Sequence, residues 1–302
     1  MNIYYKKWFF PLIGLAFILF LTVILIPFVV GVFYSFTAWK GTFFFKNNAL
    51  TYNPFSAIVG FDNYIAAINN EKFCNAFLYT IKFTVIAVIV INIVALVFAL
   101  ILTKINQGAG IFRTVFFMPN LLGGLALGFI WKFIFEIIFS KVFFGPDGLI
   151  AIDALTNMTQ GNFKPLLALV ILVVWQMAGY MMLIYITGLN NIPTDLYEAA
   201  KIDGASNFQQ FKHITLPMLA PAFTIVFFLT LASCFKLLDQ NIALTNGAFD
   251  TRLLALQILR TPSDTSPPNY GQAQAQAVIF FVLIAIVTLT QVILTKRKEV
   301  EM

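Results

Sequence analysis

Cysteine and histidine are scarce in this sequence, and their scarcity excludes several kinds of active site. The chain has two cysteines, Cys74 and Cys234, which lie far apart, and a single histidine, His213. Zinc sites, dithiol redox pairs and histidine-based triads need such side chains in combination. None can be assembled from this set, so the cysteines are expected to pack as small apolar side chains, and His213 to lie in a solvated or loop-packed position.

Glycine-rich phosphate loops are also missing. The pattern G-x-x-x-x-G-K-[ST], whose backbone amides cradle nucleotide phosphates, occurs nowhere in the sequence. No cofactor or metal is therefore expected on this chain, and any use of ATP would require another subunit. The formal net charge is +6, but no compact basic patch with interleaved aromatic residues indicates binding to nucleic acid.

Charged residues are rare and apolar residues are abundant. Charged residues make up 11% and hydrophobic residues 60% of the chain, which contains 35 phenylalanines, so it is an integral membrane protein. A spanning helix needs roughly 20 mostly apolar residues, and six segments meet this requirement, at residues 9–38, 77–102, 114–138, 165–188, 218–240 and 274–295. Because these runs are continuous and do not alternate as barrel strands do, they predict an all-α fold of six transmembrane helices.

The lysine and arginine residues predict how the chain lies in the membrane. The first apolar run follows the basic start Met1–Lys7, but it is too long for a signal peptide and lacks a small-residue cleavage site. It is expected to remain as the first span. The positive-inside rule favours an N-in, C-in topology, which groups these basic residues on the cytoplasmic side: Lys6, Lys7, Lys104, Arg113, Lys201, Lys212, Lys296, Arg297 and Lys298.

The predicted organisation has three parts. Residues 1–76 contain the N-terminal tail, the first span and an outer loop, residues 77–295 form a core of five spans, and residues 296–302 form a cytoplasmic tail. Residues 190–217 are a polar stretch within the core, between the fourth and fifth apolar runs. A water-compatible loop of this size in a chain built for lipid is expected to bind a partner.

The polar stretch has its own local signals. Pro193 suits the start of a helix, and Gly204 suits its end in a left-handed conformation. Ser206 and Gln209 have the spacing of a capping box, which would begin a second short helix at about 206–213. The stretch is therefore predicted to form a helix, a glycine turn and a second helix on the cytoplasmic side, with Pro217 marking the entry of the next span.

A longer spacing pattern runs through the same stretch. The pattern E-A-A-x3-G-x9-I-x-L-P is carried by Glu198, Ala199, Ala200, Gly204, Ile214, Leu216 and Pro217. It resembles the loop of binding-protein-dependent ABC importer permeases. The sequence L-Y-E-A-A-K-I-D-G-A-S at residues 196–206 is similar to that of the sugar-importer branch, which includes the maltose-type and glycerol-3-phosphate-type permeases. The resemblance continues in G-F-D-N-Y at 60–64, R-T-V-F-F-M-P at 113–119 and W-K at 131–132.

The resemblance implies a set of partners. In that family the loop is a coupling helix that docks on a cytoplasmic ATPase, and two permease subunits act together beneath an extracytoplasmic sugar-binding protein. It therefore implies a second, homologous permease subunit, two ATPase subunits that carry ATP and Mg, and a location in the bacterial inner membrane. Glu198 would make the polar contact, Ala199 and Ala200 would permit close approach, and Gly204 would make the turn.

The translocation path is predicted from polar and aromatic residues within the spans. A sugar site needs aromatic faces for the rings and amides or hydroxyls for the alcohols. Trp175, Gln176, Gly179 and Tyr180 of the fourth span and Asn120 of the third, beside the interrupting Pro119, are the candidates. Helix packing is the alternative role for each, since glycines and amides also join neighbouring spans.

Two further features concern the outer ends of the spans. Lys132 with Glu136 and Lys236 with Asp239 have helical i,i+4 and i,i+3 spacing, which predicts two salt bridges. After Asp239 the sugar branch carries Thr-x-Gly-Gly-Pro, whereas this chain has T-N-G-A at 245–248. Family details are therefore not transferred to this outer loop.

The sequence favours the permease subunit of an ATP-driven carbohydrate importer that works by alternating access. One alternative is a permease of the same mechanism for another solute, such as an amino acid or a polyamine. A second is a secondary transporter or channel without an ATPase, but no Asp or Glu occupies the centre of a predicted span, where a coupling ion would need one. The chain is expected to be a transport subunit and not an enzyme.

Overall fold

The computed structural model describes residues 13–47, 49–105, 107–146, 148–150, 152–161 and 163–296. The basic start Met1–Lys7 and the residues Arg297 and Lys298 lie outside the described residues. Two compact units are present, residues 1–74 with 258–282 and residues 75–257 with 283–302. The predicted division at residues 76 and 295 stays a prediction.

The described chain is mainly helical. The strands are β1 (Phe44–Lys46) and β2 (Ala49–Thr51), and the helices in chain order are α1 (Ile13–Ser35), α2 (Asp62–Ile68), α3 (Glu71–Leu102), α4 (Ala109–Phe117), α5 (Gly124–Phe133), α6 (Lys164–Asn190), α7 (Thr194–Ile202), α8 (Asn207–Gln210), α9 (Leu216–Met218), α10 (Ala220–Phe235), α11 (Asp239–Leu244), α12 (Leu254–Arg260) and α13 (Tyr270–Lys296). Helices α1, α3, α6 and α13 are each long and apolar enough to cross a bilayer.

The third and fifth spans are bent pairs of helices, and with the four long helices they make up the six predicted spans. Residues Ala109–Leu121 and Gly124–Phe143 meet at 101°, and residues Asn207–Met218 and Ala220–Phe235 meet at 65°. The third span, predicted over 114–138, is interrupted just after Pro119, as expected from the sequence, because the backbone at Leu122 and Gly123 is extended. The fifth span ends at Phe235 rather than at residue 240, and α11 begins separately after it.

In the unit formed by residues 1–74 and 258–282, the end of α1 is held by the G-F-D-N-Y motif. Asn63 is buried, and its side-chain amide donates hydrogen bonds to the carbonyls of Ser35 and Thr37, each at 2.8 Å. The Tyr64 hydroxyl lies 2.6 Å from the Ser35 hydroxyl. The last carbonyls of a helix have no partner within the helix, so Asn63 satisfies groups that would otherwise be unpaired. An antiparallel β1–β2 hairpin, with Phe44 opposite Thr51, follows α1.

In the unit formed by residues 75–257 and 283–302, α6 is more enclosed than α3. Its spanning window is 61% buried, against 33% for the window of α3. Small residues allow close helix contacts here. A Cβ atom added at Gly179 on α6 would lie 1.8 Å from the Phe116 carbonyl oxygen on α4. One added at Gly128 on α5 would lie 2.5 Å from the Ala243 Cβ on α11. Because lipid is as apolar as the side chains, helices in a membrane associate through such close packing and not through the hydrophobic effect.

Candidate functional site

Residues 190–217, the coupling segment, fold as the sequence predicts at their first two elements. Helix α7 starts after Pro193, and the chain then turns at Gly204, whose φ of 77° lies in the left-handed region. The amide of Ala205 donates to the Ala200 carbonyl at 2.9 Å and closes the end of α7. Gly204 has no atom near the position of an added Cβ, so the backbone angle and not crowding requires glycine.

The second helix of the coupling segment begins with the predicted capping box. The Gln209 amide donates to the Ser206 hydroxyl at 3.3 Å, and the Ser206 amide donates to the Gln209 side-chain oxygen at 2.7 Å. Helix α8 does not stop near His213, however. It continues through a π-helical turn, Phe211–Thr215, into α9 and past Pro217. The change of direction into the fifth span falls at Leu219, two residues after the expected position.

The coupling segment presents apolar side chains on a polar surface. Leu196, Ile202 and Phe208 are 41%, 87% and 72% exposed. Glu198 and Ala199 are exposed beside them, and Ala200 is half-buried. Of the other motif residues, Gly204 and Pro217 are exposed, and Ile214 and Leu216 are half-buried. The sequence-based prediction named the motif residues and missed the apolar three, although an isoleucine and a phenylalanine inside a polar stretch were the available signal.

Two side chains hold the coupling segment together from within. The Tyr197 hydroxyl on α7 lies 2.9 Å from the buried hydroxyl of Thr215. Gln210 is buried, and its amide donates to the Ala205 carbonyl at 3.0 Å. His213 is exposed, in the solvated position predicted for it, with Nδ1 3.1 Å from the Gln209 carbonyl oxygen. Sequence reasoning did not single out Tyr197, Gln210 or Thr215, because their partners become neighbours only when the segment folds back on itself.

The predicted path residues separate into different environments. Trp175 lines an apolar cavity of about 600 Å³ between α3, α4, α5 and α6, where its ring meets that of Trp131 edge to face at 5.7 Å. Gly179 lies at the same cavity, but it is buried against the backbone of Phe116. Tyr180 is 37% exposed, and Asn120 is half-buried in the 3₁₀ turn before the bend of the third span.

Gln176 belongs to a polar layer where the break in the third span meets the start of α11, which follows the fifth span. The Gln240 amide, at the start of α11, donates to the Gln176 side-chain oxygen at 2.8 Å. Gln176 in turn makes a long hydrogen bond, 3.5 Å, to the carbonyl of Leu122, which the bend has freed. A Cβ atom at Gly124 would lie 2.8 Å from that of Asp239, so the break in the third span is in close contact with the start of α11. Gln240 stands at the end of the fifth apolar run in the sequence, and only the fold brings it to Gln176.

Neither predicted salt bridge forms between the described side chains of Lys132 and Glu136 or of Lys236 and Asp239. The helix becomes π-helical at Ile134, which removes the i,i+4 register of the first pair, and Glu136 accepts a hydrogen bond from Thr159 at 3.1 Å instead. The second pair loses its register because α10 ends at Phe235. Helical spacing predicts a pair only while the helix stays regular.

Six apolar spans, two of them broken, and an exposed helix–turn–helix between spans four and five define a polytopic membrane transport component. A model of the family described as "Binding-protein-dependent transport system inner membrane component" matches residues 106–300. The chain belongs to this family. The resemblance seen in the sequence is thereby confirmed, and the chain is a multi-pass transport subunit and not an enzyme.

Named relatives match over nearly the whole chain. The chain is 39% identical to a probable starch degradation products transport system permease protein of Thermoanaerobacterium thermosulfurigenes, over 98% of this chain and 96% of that protein. It is 31% identical to a multiple sugar-binding transport system permease protein of Streptococcus mutans, over 91% and 90%. A solved bacterial ABC transporter that imports the acidic polysaccharide alginate has a chain with a TM-score of 0.74 at 18% identity, over 97% and 96%, which shows a shared fold.

Proposed function

We propose that this chain is the permease subunit of an ATP-driven importer for carbohydrate. It would act in the bacterial inner membrane with a second permease subunit, two cytoplasmic ATPase subunits that bind ATP and Mg, and an extracytoplasmic sugar-binding protein. The family match supports a binding-protein-dependent system, and relatives named for starch degradation products and for multiple sugars support carbohydrate as the solute. The exposed coupling segment is the observation that supports an ATPase partner.

The side chains of the coupling segment suit a docking surface. Protein interfaces have an apolar centre with a polar rim, and large side chains at the centre supply most of the affinity. Ile202 and Phe208 provide exposed apolar area, and Glu198 provides a carboxylate suited to a basic partner surface. The small side chain of Ala199 would allow close approach of the partner. An ATPase that closes on ATP would move this surface and so reorient the spans. Both termini of the chain would lie on the same cytoplasmic side as this surface.

The polar layer and the Trp175 region suit passage of a sugar. Gln176 and Gln240 offer amide donors and acceptors for hydroxyl groups, and the rings of Trp175 and Tyr180 offer apolar faces for a pyranose. Amides at membrane depth are costly when they face lipid, whereas here the two amides bond to each other between α6 and the start of α11. Asn120 lies beside the same bend in the third span.

Substitutions in the coupling segment test the ATPase contact. Glu198→Lys reverses the exposed charge, and Gly204→Pro is incompatible with a positive φ. In vesicles that contain the chain, its partner subunits and the binding protein, both variants should insert normally while ATP hydrolysis no longer drives uptake. Glu71→Lys and Gly161→Pro are matched controls at an exposed acid and at a positive-φ glycine outside the segment, and they should keep uptake. Normal coupled uptake by both segment variants would overturn the assignment.

A competition panel tests the solute. Unlabelled mono- and oligosaccharides, amino acids and polyamines are each added in excess during uptake of a labelled oligosaccharide by the reconstituted system. Inhibition by sugars alone is expected. Inhibition by amino acids or polyamines alone would support the alternative of a permease for another solute, and uptake without any ATPase subunit would support a secondary transporter or channel.

A further inference from the structure

Three helices of the unit containing residues 75–257 are joined by a buried hydrogen-bonded network that the proposed docking and path residues do not include. Tyr185 on α6 is fully buried, and its hydroxyl donates to the Asn92 side-chain oxygen on α3 at 2.7 Å. The Asn92 amide donates to the buried Thr230 hydroxyl on α10 at 3.3 Å, and to the carbonyl of Val88 at 2.8 Å. Tyr185, Asn92 and Thr230 form the three-helix network.

Two of the three helices joined by the three-helix network flank the coupling segment. Helix α6 runs into the segment and α10 leads out of it. Near the segment the two helices touch: the Tyr185 ring meets that of Phe223 edge to face at 5.1 Å. A Cβ atom added at Gly188 would lie 2.8 Å from the Cβ of Ala222. Helices α6 and α10 are therefore in close contact at this level.

A hydrogen bond within the coupling segment makes a second connection between its two ends. The Tyr197 to Thr215 hydrogen bond, at 2.9 Å, joins the entering helix α7 to the end of the π-helical turn that leads into α9. A push on the exposed face of α7 therefore reaches α10 through Thr215 and reaches α6 directly along the chain. Both paths end at the three-helix network.

Asn92 connects helix α3 to α6 and α10 through its two side-chain hydrogen bonds. One face of α3, with Val90, Val94 and Phe98, forms a wall of the apolar cavity that Trp175 also lines. A hydrogen bond between buried groups in a low-dielectric interior is costly to break, because the separated groups find no water. The network thus ties the cavity wall to the helices that carry the coupling segment.

We infer that Tyr185 is a positioning residue for transport: through Asn92 and Thr230 it makes α3, α6 and α10 move as one body when the coupling segment is displaced. This inference rests on the proposed function, because it needs an ATPase to displace the segment. The alternative is that these side chains only stabilise the packing of the spans. That role would affect stability without changing how many ATP molecules are hydrolysed for each imported solute.

The variants remove hydroxyls and keep the shapes of the side chains. Tyr185→Phe keeps the ring contact with Phe223 and leaves the Asn92 oxygen without its donor. Thr230→Val removes the second hydroxyl, whereas Thr230→Ser keeps it and serves as the conservative rescue. Tyr79→Phe is the matched control, since the Tyr79 hydroxyl on α3 is buried but has no hydrogen-bond partner among the described residues.

The measured quantity is the number of ATP molecules hydrolysed per solute imported, in vesicles with the full set of subunits and the binding protein. Tyr185→Phe and Thr230→Val should raise this ratio by roughly two- to tenfold, the range set by one buried hydrogen bond. Thr230→Ser and Tyr79→Phe should keep the wild-type ratio. A wild-type ratio in both Tyr185→Phe and Thr230→Val would overturn the inference, even if their melting temperatures fall. Absence of ATP-driven uptake by the wild-type complex would instead overturn the proposed function.

Discussion

The missing side chain of Gly179 sets how closely α4 and α6 approach. The sequence-based prediction placed this glycine in the translocation path, and its position at the cavity wall keeps that prediction open. Its backbone, however, lies directly against the carbonyl group of Phe116. A spacing pattern cannot distinguish these roles, because glycine serves both as a lining residue and as a contact residue between spans.

Gly179→Ala is expected to destabilise the protein. The new Cβ would lie 1.8 Å from the Phe116 carbonyl oxygen, so the two helices must separate, at a cost of about 1–3 kcal/mol. The melting temperature in detergent should fall. Gly110→Ala on α4 is the control: nothing lies within 4 Å of its added Cβ, and alanine should favour the helix by up to about 1 kcal/mol. Equal melting temperatures for the two variants would contradict the close contact.

Asn63 gives the G-F-D-N-Y motif a physical role, since its one amide serves two carbonyls at the end of α1. Asn63→Leu keeps a similar size and leaves the carbonyls of Ser35 and Thr37 without these donors. We expect a loss of about 1–3 kcal/mol for an unsatisfied buried group, measured as a lower melting temperature. Asn69→Leu, at an exposed asparagine after α2, should have little effect. A similar fall for both would indicate a general effect of leucine at these positions.

Regular spacing failed where helices changed type or broke. Both salt-bridge predictions assumed regular α-helices, whereas a π-helical turn begins at Ile134 and α10 ends at Phe235. The interruption of the third span beside Pro119 was expected from the sequence. The size of the bend was not, because it depends on what α5 packs against after the break, namely α11.

The capping box controls the second helix of the coupling segment. Ser206→Ala removes the side-chain acceptor for the Gln209 amide and should cost about 1 kcal/mol of local helix stability. Hydrogen exchange followed by mass spectrometry should then show faster exchange in peptides covering α8. Ser206→Thr keeps a capping hydroxyl and should exchange like the wild type. Unchanged exchange in Ser206→Ala would mean that Gln210 and the following turn hold this helix without the cap.

Passage through the whole protein depends on groups that different spans bring to one level. Gln176→Leu removes the acceptor for Gln240 and one amide available to a sugar hydroxyl. Uptake should show a KM raised by roughly tenfold, as expected when one hydrogen bond to the substrate is lost, with ATP hydrolysis retained. Thr187→Val, on the exposed side of the same helix, should leave KM unchanged. An unchanged KM in Gln176→Leu would remove this residue from the path.

Composition and short-range spacing were sufficient for the class of protein, the six apolar spans, the helix–glycine–helix form of the coupling segment and the family. Each of these depends on residues close in the chain: apolar runs of spanning length, a turn that needs a positive φ, and a cap three residues away. Tertiary contacts alone decided that Gly179 packs on Phe116, that Gln176 meets Gln240, and that Tyr185 reaches Thr230 through Asn92. These partners lie far apart in the sequence, and only the packing of helices in three dimensions brings their polar groups within hydrogen-bonding distance.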